Sequence, residues 1–242
     1  MNSAAFSEAF VRTVQPYAAW GVEQLETFNA FLPDGDWSAD LDQCYYRQGS
    51  RELRISVLGT WDSRDGSWLW GWANPGFGNK PVAGAAHAVR RFGHEQQIPE
   101  FTNELVPLSG APDPRMAAET LAFGAMSVLG APGYIGAQAS PEARVYFVPN
   151  DPNVPQAAPD PVKLPRMLMT GAGIFGGAES QVVAGYFDRH GVPLERTADG
   201  FSATLPDGTP VSIRFDGQGR VTSIDAHFAT AAATPPGSPA GL

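Results

Sequence analysis

With 242 residues, 43% of them hydrophobic and 17% charged, the chain has enough apolar side chains to form a packed core. Its 25 acidic and 16 basic residues give a formal net charge of −9, which argues against nucleic acid as a partner and favours a basic one. No apolar run approaches the roughly 18 residues of a membrane-spanning helix, and the N-terminus lacks the basic region of a signal peptide. We therefore expect a cytoplasmic protein without a membrane partner.

Apolar periodicity divides the first half into helices and an antiparallel meander. In residues 4–31 apolar side chains recur at three- or four-residue steps, which predicts a helix, and Pro16 predicts a break near residues 14–15. Strict alternation in residues 51–61 predicts a strand, followed by a turn at residues 63–66. The other elements expected here are strands at 37–47, 67–73 and 143–148, and helices at 82–92, ended by Gly93, and at 113–129, ended by Gly130.

Prolines and Asp-Gly pairs organise the second half. Six prolines in residues 149–165 predict an extended spacer. A helix at 178–190 then precedes four short strands at 194–197, 201–205, 211–215 and 221–228, which three Asp-Gly turns separate. The expected fold class is α+β, with N-terminal helices packed on an antiparallel meander and a small C-terminal module of one helix on a four-stranded antiparallel sheet. The expected domains are an α+β domain at 1–148, a Pro-rich linker at 149–165, a loosely docked module at 166–228 and a disordered tail at 229–242.

A tryptophan-rich run, W-L-W-G-W-A-N-P, starts at Trp68 and follows Trp61 closely. On a strand, Trp68, Trp70 and Trp72 would share one face at intervals of about 7 Å. That face is either an aromatic platform for a sugar, a base or a cationic side chain, or part of the core beneath the helices. We favour burial, because an indole buries up to about 250 Å² and needs only one hydrogen-bond partner.

Two strings of residues resemble the signature of an uncharacterised bacterial family, a domain of unknown function frequent in actinobacteria. The first is G-T-W followed by G-S-W-L-W-G-W-A-N-P, and the second is A-V-R-R-F-G-H-E-Q-Q-I-P-E-F. The resemblance covers about residues 5–150, and W-x-W-x-W-A-N is its most specific part. It implies an α+β fold and a bacterial cytosolic setting. It carries no known catalytic residue, so it implies no function.

Metal and nucleotide sites find little support in the sequence. His87 and His94 lie two helical turns apart, but the neighbouring Arg90 and Arg91 would repel a cation, so a surface or capping role is the better explanation. The G-x-G-x-x-G pattern from Gly171 precedes an antiparallel meander rather than the parallel βαβ unit that a dinucleotide site requires. We therefore expect no metal, no cofactor and no catalytic residue.

The function expected is non-enzymatic binding of another macromolecule, above all a protein, and an immunity-type or accessory role would fit. The alternative is a small-molecule enzyme or ligand-binding domain, with its pocket beside the tryptophan-rich strand. Whether the protein is an enzyme therefore stays open. The candidate residues for binding a ligand or a partner are Trp61, Trp70, Asn74, Arg90, Arg91 and His94.

Overall fold

The computed structural model describes residues 5–226, so the expected tail at 229–242 and the end of the last expected strand lie outside the described residues. The helices are α1 (Glu8–Val14), α2 (Ala18–Phe31), α3 (Gly84–Gln96), α4 (Pro99–Thr102), α5 (Pro114–Leu129), α6 (Leu164–Phe175) and α7 (Glu179–Arg189). The strands are β1 (Trp37–Asp40), β2 (Tyr45–Gln48), β3 (Arg51–Asp62), β4 (Ser67–Trp70), β5 (Leu105–Pro107), β6 (Ile135–Gln138), β7 (Ala143–Pro149), β8 (Leu194–Arg196), β9 (Gly200–Thr204), β10 (Pro210–Phe215) and β11 (Val221–Ala226). The α+β class is confirmed.

The N-terminal helical segment breaks where Pro16 predicts. Ser7 caps α1, its hydroxyl accepting a hydrogen bond from the backbone N–H of Phe10 at 3.1 Å. A single 3-10 turn, Gln15–Tyr17, then separates α1 from α2, because proline has no N–H to continue the α-helical ladder. Helix α2 contacts α5, α6 and α7, so it lies at the centre of the helical layer.

A seven-stranded antiparallel sheet is built around the long strand β3. The strand order is β1-β2-β3-β4-β5, while β7 pairs with β3 and β6 with β7. The expected three-stranded meander is therefore part of a larger sheet. Residues 37–47 form the two strands of a hairpin rather than one strand, because the chain turns at residues 41–44, where Cys44 has a φ of 58°.

A β-bulge in β3 changes which side chains face each side of the sheet. Val57 pairs with Phe147 and Gly59 with Tyr146, so Leu58 is the extra residue. Because Phe147 and Tyr146 are consecutive on β7, Val57 and Gly59 face opposite sides. Val57 packs in a smaller core on one side, and Leu58 belongs to the larger core beneath the helices. The bulge thus lets both faces of the sheet be covered.

Two expected element ends are wrong, and close packing explains the second of them. Strand β4 ends at Trp70, and Trp72 lies on a following 3-10 turn, so the row of three tryptophans along one strand does not form. Helix α3 continues through Gly93, where an added β-carbon would lie 2.5 Å from Cβ of Phe101. Gly93 therefore allows α3 and α4 to approach, and the helix ends instead at Gln97, which has a φ of 57°.

The second half contains the expected helix and sheet, and in addition one helix that the sequence did not predict. Helix α7 and the four-stranded antiparallel sheet β11-β10-β9-β8 confirm the expected elements. The extra helix is α6, which begins inside the expected spacer at 149–165 and contains the glycine pattern from Gly171. Gly171 and Gly173 lie inside α6, and Gly176 ends it, so the glycine pattern does not form a loop between a strand and a helix.

The proline-rich segment is packed against the helices rather than extended as a free spacer. Gln24 of α2 is fully buried, and its Nε2 donates to the carbonyl oxygens of Pro132 at 2.9 Å and Pro155 at 3.0 Å. Its Oε1 accepts a hydrogen bond from the N–H of Ala157 at 2.8 Å. Val154 is also buried, in the smaller core. The expectation of a simple spacer is therefore corrected.

Helices α6 and α7 share the larger hydrophobic core with the N-terminal helices. Phe10 of α1 packs edge-to-face against Phe175 of α6, with ring centroids 6.2 Å apart. Arg166 of α6 forms a bidentate ion pair with Glu26 of α2, at 2.6 and 2.8 Å. The expected loose docking is therefore wrong, whereas the division into independently folding domains stays a prediction.

Limited proteolysis tests the anchoring of the proline-rich segment. We expect residues 150–163 to resist cleavage in the native protein, because Gln24 and Val154 hold them. Replacing Gln24 with alanine should make this segment the first cleavage site, since three hydrogen bonds are lost together. Mass spectrometry of the early fragments identifies the site, and Gln181→Ala, an exposed position on α7, is the control. Early cleavage of the wild-type segment would contradict the packing.

Candidate functional site

The two central tryptophans of the aromatic run belong to the core. Trp68 and Trp70 are both 0% exposed, and their rings meet edge-to-face with centroids 5.2 Å apart. The indole N–H of Trp70 donates to the carbonyl oxygen of Glu100 at 2.7 Å, and its ring packs on Phe101. A platform needs an exposed ring face, so this burial argues against a direct ligand contact by Trp70.

The other candidate residues lie at separate places. Trp61 is 9% exposed and pairs across strands with Trp68, while Arg90 of α3 stacks over the ring of Trp72 at 4.0 Å. Asn74 accepts a hydrogen bond from the N–H of Gly76 at 2.9 Å, which is a turn-forming role. Arg91 and His94 are exposed on α3. The binding roles of all six candidates stay predictions.

A buried carboxylate–imidazole–phenol cluster joins α2 to α7. Oε2 of Glu23 lies 2.9 Å from Nε2 of His190 and accepts a hydrogen bond from the hydroxyl of Tyr186 at 3.0 Å. Burial, and then the charge of Glu23, raise the pKa of Tyr186. Because these groups are 163 and 167 positions apart in sequence, no motif could reveal them. Their geometry cross-links two helices and positions no exposed reacting atom.

A second cluster lies beside the tryptophans, at the start of α5. The hydroxyl of Tyr146 donates to Oε1 of Glu119 at 3.1 Å, and its ring is 4.9 Å from that of Trp68. Burial, reinforced by Glu119, raises the pKa of both Tyr134 and Tyr146. A surface cavity of about 540 Å³ adjoins the cluster, and it is lined by Asp113, Arg115, Met116, Glu119 and Tyr134.

These tyrosines predict a loss of stability at alkaline pH. Burial raises the pKa of Tyr46 to about 12, against about 10 for an unfolded chain, and the pKa values of Tyr134, Tyr146 and Tyr186 are also raised. Because the unfolded state ionises first, the stability present below pH 10 should fall between about pH 10 and 12. Urea unfolding across this range, with tyrosinate absorbance, measures the loss. A midpoint that does not change up to pH 12 would contradict the burial of these hydroxyls.

The β1–β2 hairpin carries an exposed aromatic side chain at the edge of the large sheet. Trp37 is 36% exposed, and its ring stacks on buried Tyr46 with centroids 5.8 Å apart and planes 14° apart. Tyr46 in turn packs on Phe147 and donates to the side chain of Gln48. One face of Trp37 is therefore fixed by the core, and the rest of the ring remains accessible.

Four aspartates flank this tryptophan in sequence. Asp34, Asp36, Asp40 and Asp42 are all exposed, and Asp42 pairs with Lys80 at 2.7 Å. Asp40 accepts hydrogen bonds from the N–H groups of residues 42 and 43, which shapes the turn. We call β1, its turn and these four aspartates the acidic hairpin edge. Sequence reasoning missed it, although the string D-G-D-W-S-A-D-L-D carries the signal.

A cavity lies on the polar face of the same hairpin. It has a volume of about 350 Å³ and is lined by Ser38, Ala39, Asp40, Gln43, Tyr45, Arg47 and Glu52. Arg47 forms an ion pair with Glu52 across the β2–β3 ladder, so these two charges largely offset each other. The carboxylate of Asp40 therefore sets the sign of the potential on this face.

Comparison with known proteins places the chain in a family. The family of unknown function DUF6882 matches residues 11–152. The chain belongs to this family. The expected resemblance to an uncharacterised domain is thereby confirmed, whereas the bacterial origin and the diagnostic value of the tryptophan motif stay predictions. No curated protein and no solved structure matches the chain.

The DUF6882 match ends within the proline-rich segment. It includes the acidic hairpin edge, Tyr46, Tyr134, Tyr146 and all six candidate residues, and it ends before α6, α7 and the smaller sheet. Among residues 5–226 no helix is both long and apolar enough to span a bilayer. The same residues contain no group of three or more His, Cys, Asp and Glu side chains placed to hold a metal ion.

Proposed function

We propose that this member of DUF6882 is a non-enzymatic protein-binding protein and that its partner docks on the acidic hairpin edge. The observation that carries the proposal is Trp37, an exposed indole that stacks on a buried tyrosine and lies on the strand that ends the sheet within residues 5–226. Rigid aromatic side chains of this kind are frequent binding hot spots, because little conformational entropy is lost when they are covered. The net charge of −9 supports a basic partner.

A cytoplasmic, bacterial setting and an immunity-type or accessory role belong to the same proposal. Both follow from the acidic composition and from the family resemblance rather than from the geometry. Cell fractionation with an antibody to the native protein tests the location. Recovery of the protein mainly outside the cytoplasmic fraction would contradict it.

Affinity capture with matched variants tests the function. We expect the wild-type protein and a Leu105→Ala variant to recover the same stoichiometric partner from the native lysate, and a Trp37→Ala variant to lose it. Leu105 is the matched control, because it is 51% exposed and lies on β5, at the opposite end of the strand order. No stoichiometric partner, or one that Trp37→Ala retains, would overturn the proposal.

One surface cavity supports the small-molecule alternative. The cavity beside Glu119 and Tyr134 adjoins the tryptophan-rich sheet through Tyr146, although none of the six candidate residues lines it. A ligand held there should raise the melting temperature of the wild-type protein but not that of a Glu119→Gln variant. A metabolite screen by thermal shift on both proteins measures this difference.

A further inference from the structure

The acidic hairpin edge has the geometry for adding one more strand to the large sheet, and this deepens the proposed function by naming what binds. β1 is the terminal strand in the order β1-β2-β3-β4-β5, so within residues 5–226 only one of its edges is paired. We infer that this edge accepts an extended segment of a partner protein in which basic and apolar residues alternate, bound by backbone pairing to β1.

The register shows which backbone groups are free for such pairing. Ser38 pairs with Arg47, and the N–H of Gly49 donates to the carbonyl oxygen of Asp36 at 3.3 Å. In an antiparallel ladder, hydrogen-bonded and non-hydrogen-bonded pairs alternate, so residues 36, 38 and 40 point their backbone groups inward. Trp37 and Ala39 therefore point their N–H and C=O groups outward, where an added strand would meet them.

The two faces of β1 determine the pattern of the bound segment. Trp37 and Ala39 lie on the face of Tyr46, where an added strand would place apolar side chains against the indole. Ser38 and Asp40 lie on the opposite face, above the cavity of about 350 Å³. A lysine or arginine there would reach Asp40, and the neighbouring Asp36 adds a second exposed charge.

The charge of this edge also disfavours a second copy of this chain as the partner. Pairing β1 with β1 of another copy would bring Asp36 and Asp40 of both chains together at the interface. Like charges directly across a ladder are destabilising, so self-association through this edge is disfavoured. A basic segment instead meets complementary charge, and its affinity should fall as the salt concentration rises.

Peptide binding to the full-length protein tests the inference. The probe is a synthetic peptide of about seven residues in which lysine alternates with valine, long enough to cover the four residues of β1. Calorimetry should detect binding of this peptide. A peptide with glutamate in place of lysine, and the lysine peptide with methylated backbone nitrogens, should each bind at least about tenfold more weakly. The N-methyl groups keep the charge and remove the N–H donors.

Two substitutions at one position separate strand addition from charge attraction. Ala39→Pro removes an outward N–H at an edge, where proline is tolerated, and should weaken binding by about tenfold. Ala39→Ser keeps that N–H and should therefore bind the peptide clearly more tightly than Ala39→Pro does. Circular dichroism and thermal melting of both variants establish that the sheet is intact.

The outcomes also separate this inference from the proposed function. If the N-methylated peptide or the glutamate peptide binds as tightly as the lysine peptide, the inference is overturned. An absence of peptide binding also overturns strand addition. Dimerisation of the free chain does the same if Ala39→Pro abolishes it. If in any of these cases the Trp37-dependent partner is still captured, the proposed function survives and only the mode of recognition fails. If the wild-type protein captures no Trp37-dependent partner either, both are overturned.

Discussion

Replacing Trp70 with alanine should lower the free energy of unfolding by about 3–5 kcal/mol. The side chain is fully buried between Trp68 and Phe101, so its removal leaves a cavity that the helices can only partly fill. It also leaves the carbonyl oxygen of Glu100 without its indole donor. Because the Glu100 carboxylate holds the hydroxyl of Ser7 at 2.8 Å, the change should also loosen the start of α1.

Two matched variants isolate the cause. Trp37→Ala removes the same side chain from an edge position where it is 36% exposed, and it should cost clearly less than Trp70→Ala. Trp70→Phe keeps a ring in the core but removes the indole N–H, and should cost about 1–3 kcal/mol. Urea unfolding of the three variants measures these losses. If Trp70→Ala unfolds at the wild-type midpoint, the tryptophan-rich run is not core.

Gly185→Ala should destabilise the protein by about 3 kcal/mol or more, although alanine is the better helix former. A β-carbon on Gly185 of α7 would lie 2.1 Å from the carbonyl oxygen of Pro16, at the junction of α1 and α2. Neither group is the end of a flexible side chain, so the helices must separate. Gly171→Ala on α6 should act in the same way, since its β-carbon would lie 2.4 Å from the backbone nitrogen of Ala19.

Gly173 provides the internal control for this overpacking. It lies on α6 only two residues from Gly171, it is exposed, and an added β-carbon would meet nothing within 4 Å. Gly173→Ala should therefore stabilise the protein by about 0.5–1 kcal/mol. Opposite signs at positions 171 and 173 in thermal unfolding would demonstrate the close contact of α6 with α2. Stabilisation at both positions would mean that the two helices do not share a core.

Local sequence signals correctly predicted the elements whose ends are determined by residues next to those ends. Pro16 predicted the break between α1 and α2, and Asp113 and Gly130 predicted the two ends of α5, where they form the N-cap and a left-handed C-cap. The Asp-Gly turns likewise predicted the smaller sheet. Helix α6 was missed because its prolines and glycines match a spacer pattern, whereas burial of its apolar face stabilises it.

Contacts between residues that are far apart in sequence explain the features of the structure that the sequence did not predict. Nothing near Gln24 in sequence indicates that it binds residues 132, 155 and 157, and so the spacer could not be recognised as packed. The same reason applies to the site. The alternating pattern predicted a strand at Trp70 but did not show which face of the sheet the helices cover. The exposure of Trp37 depends on β1 being the edge strand.

The position of α2 has a consequence for how the family boundary should be understood. The match to DUF6882 ends at residue 152, but the side of α2 formed by Ala19 and Glu23 is covered by α6 and α7. A chain cut at residue 152 would expose an apolar helix face together with a carboxylate that has lost its tyrosine and histidine. The limit of the family is therefore not a limit of the fold. In this chain, α6 and α7, which follow the matched region, supply the cover that α2 needs.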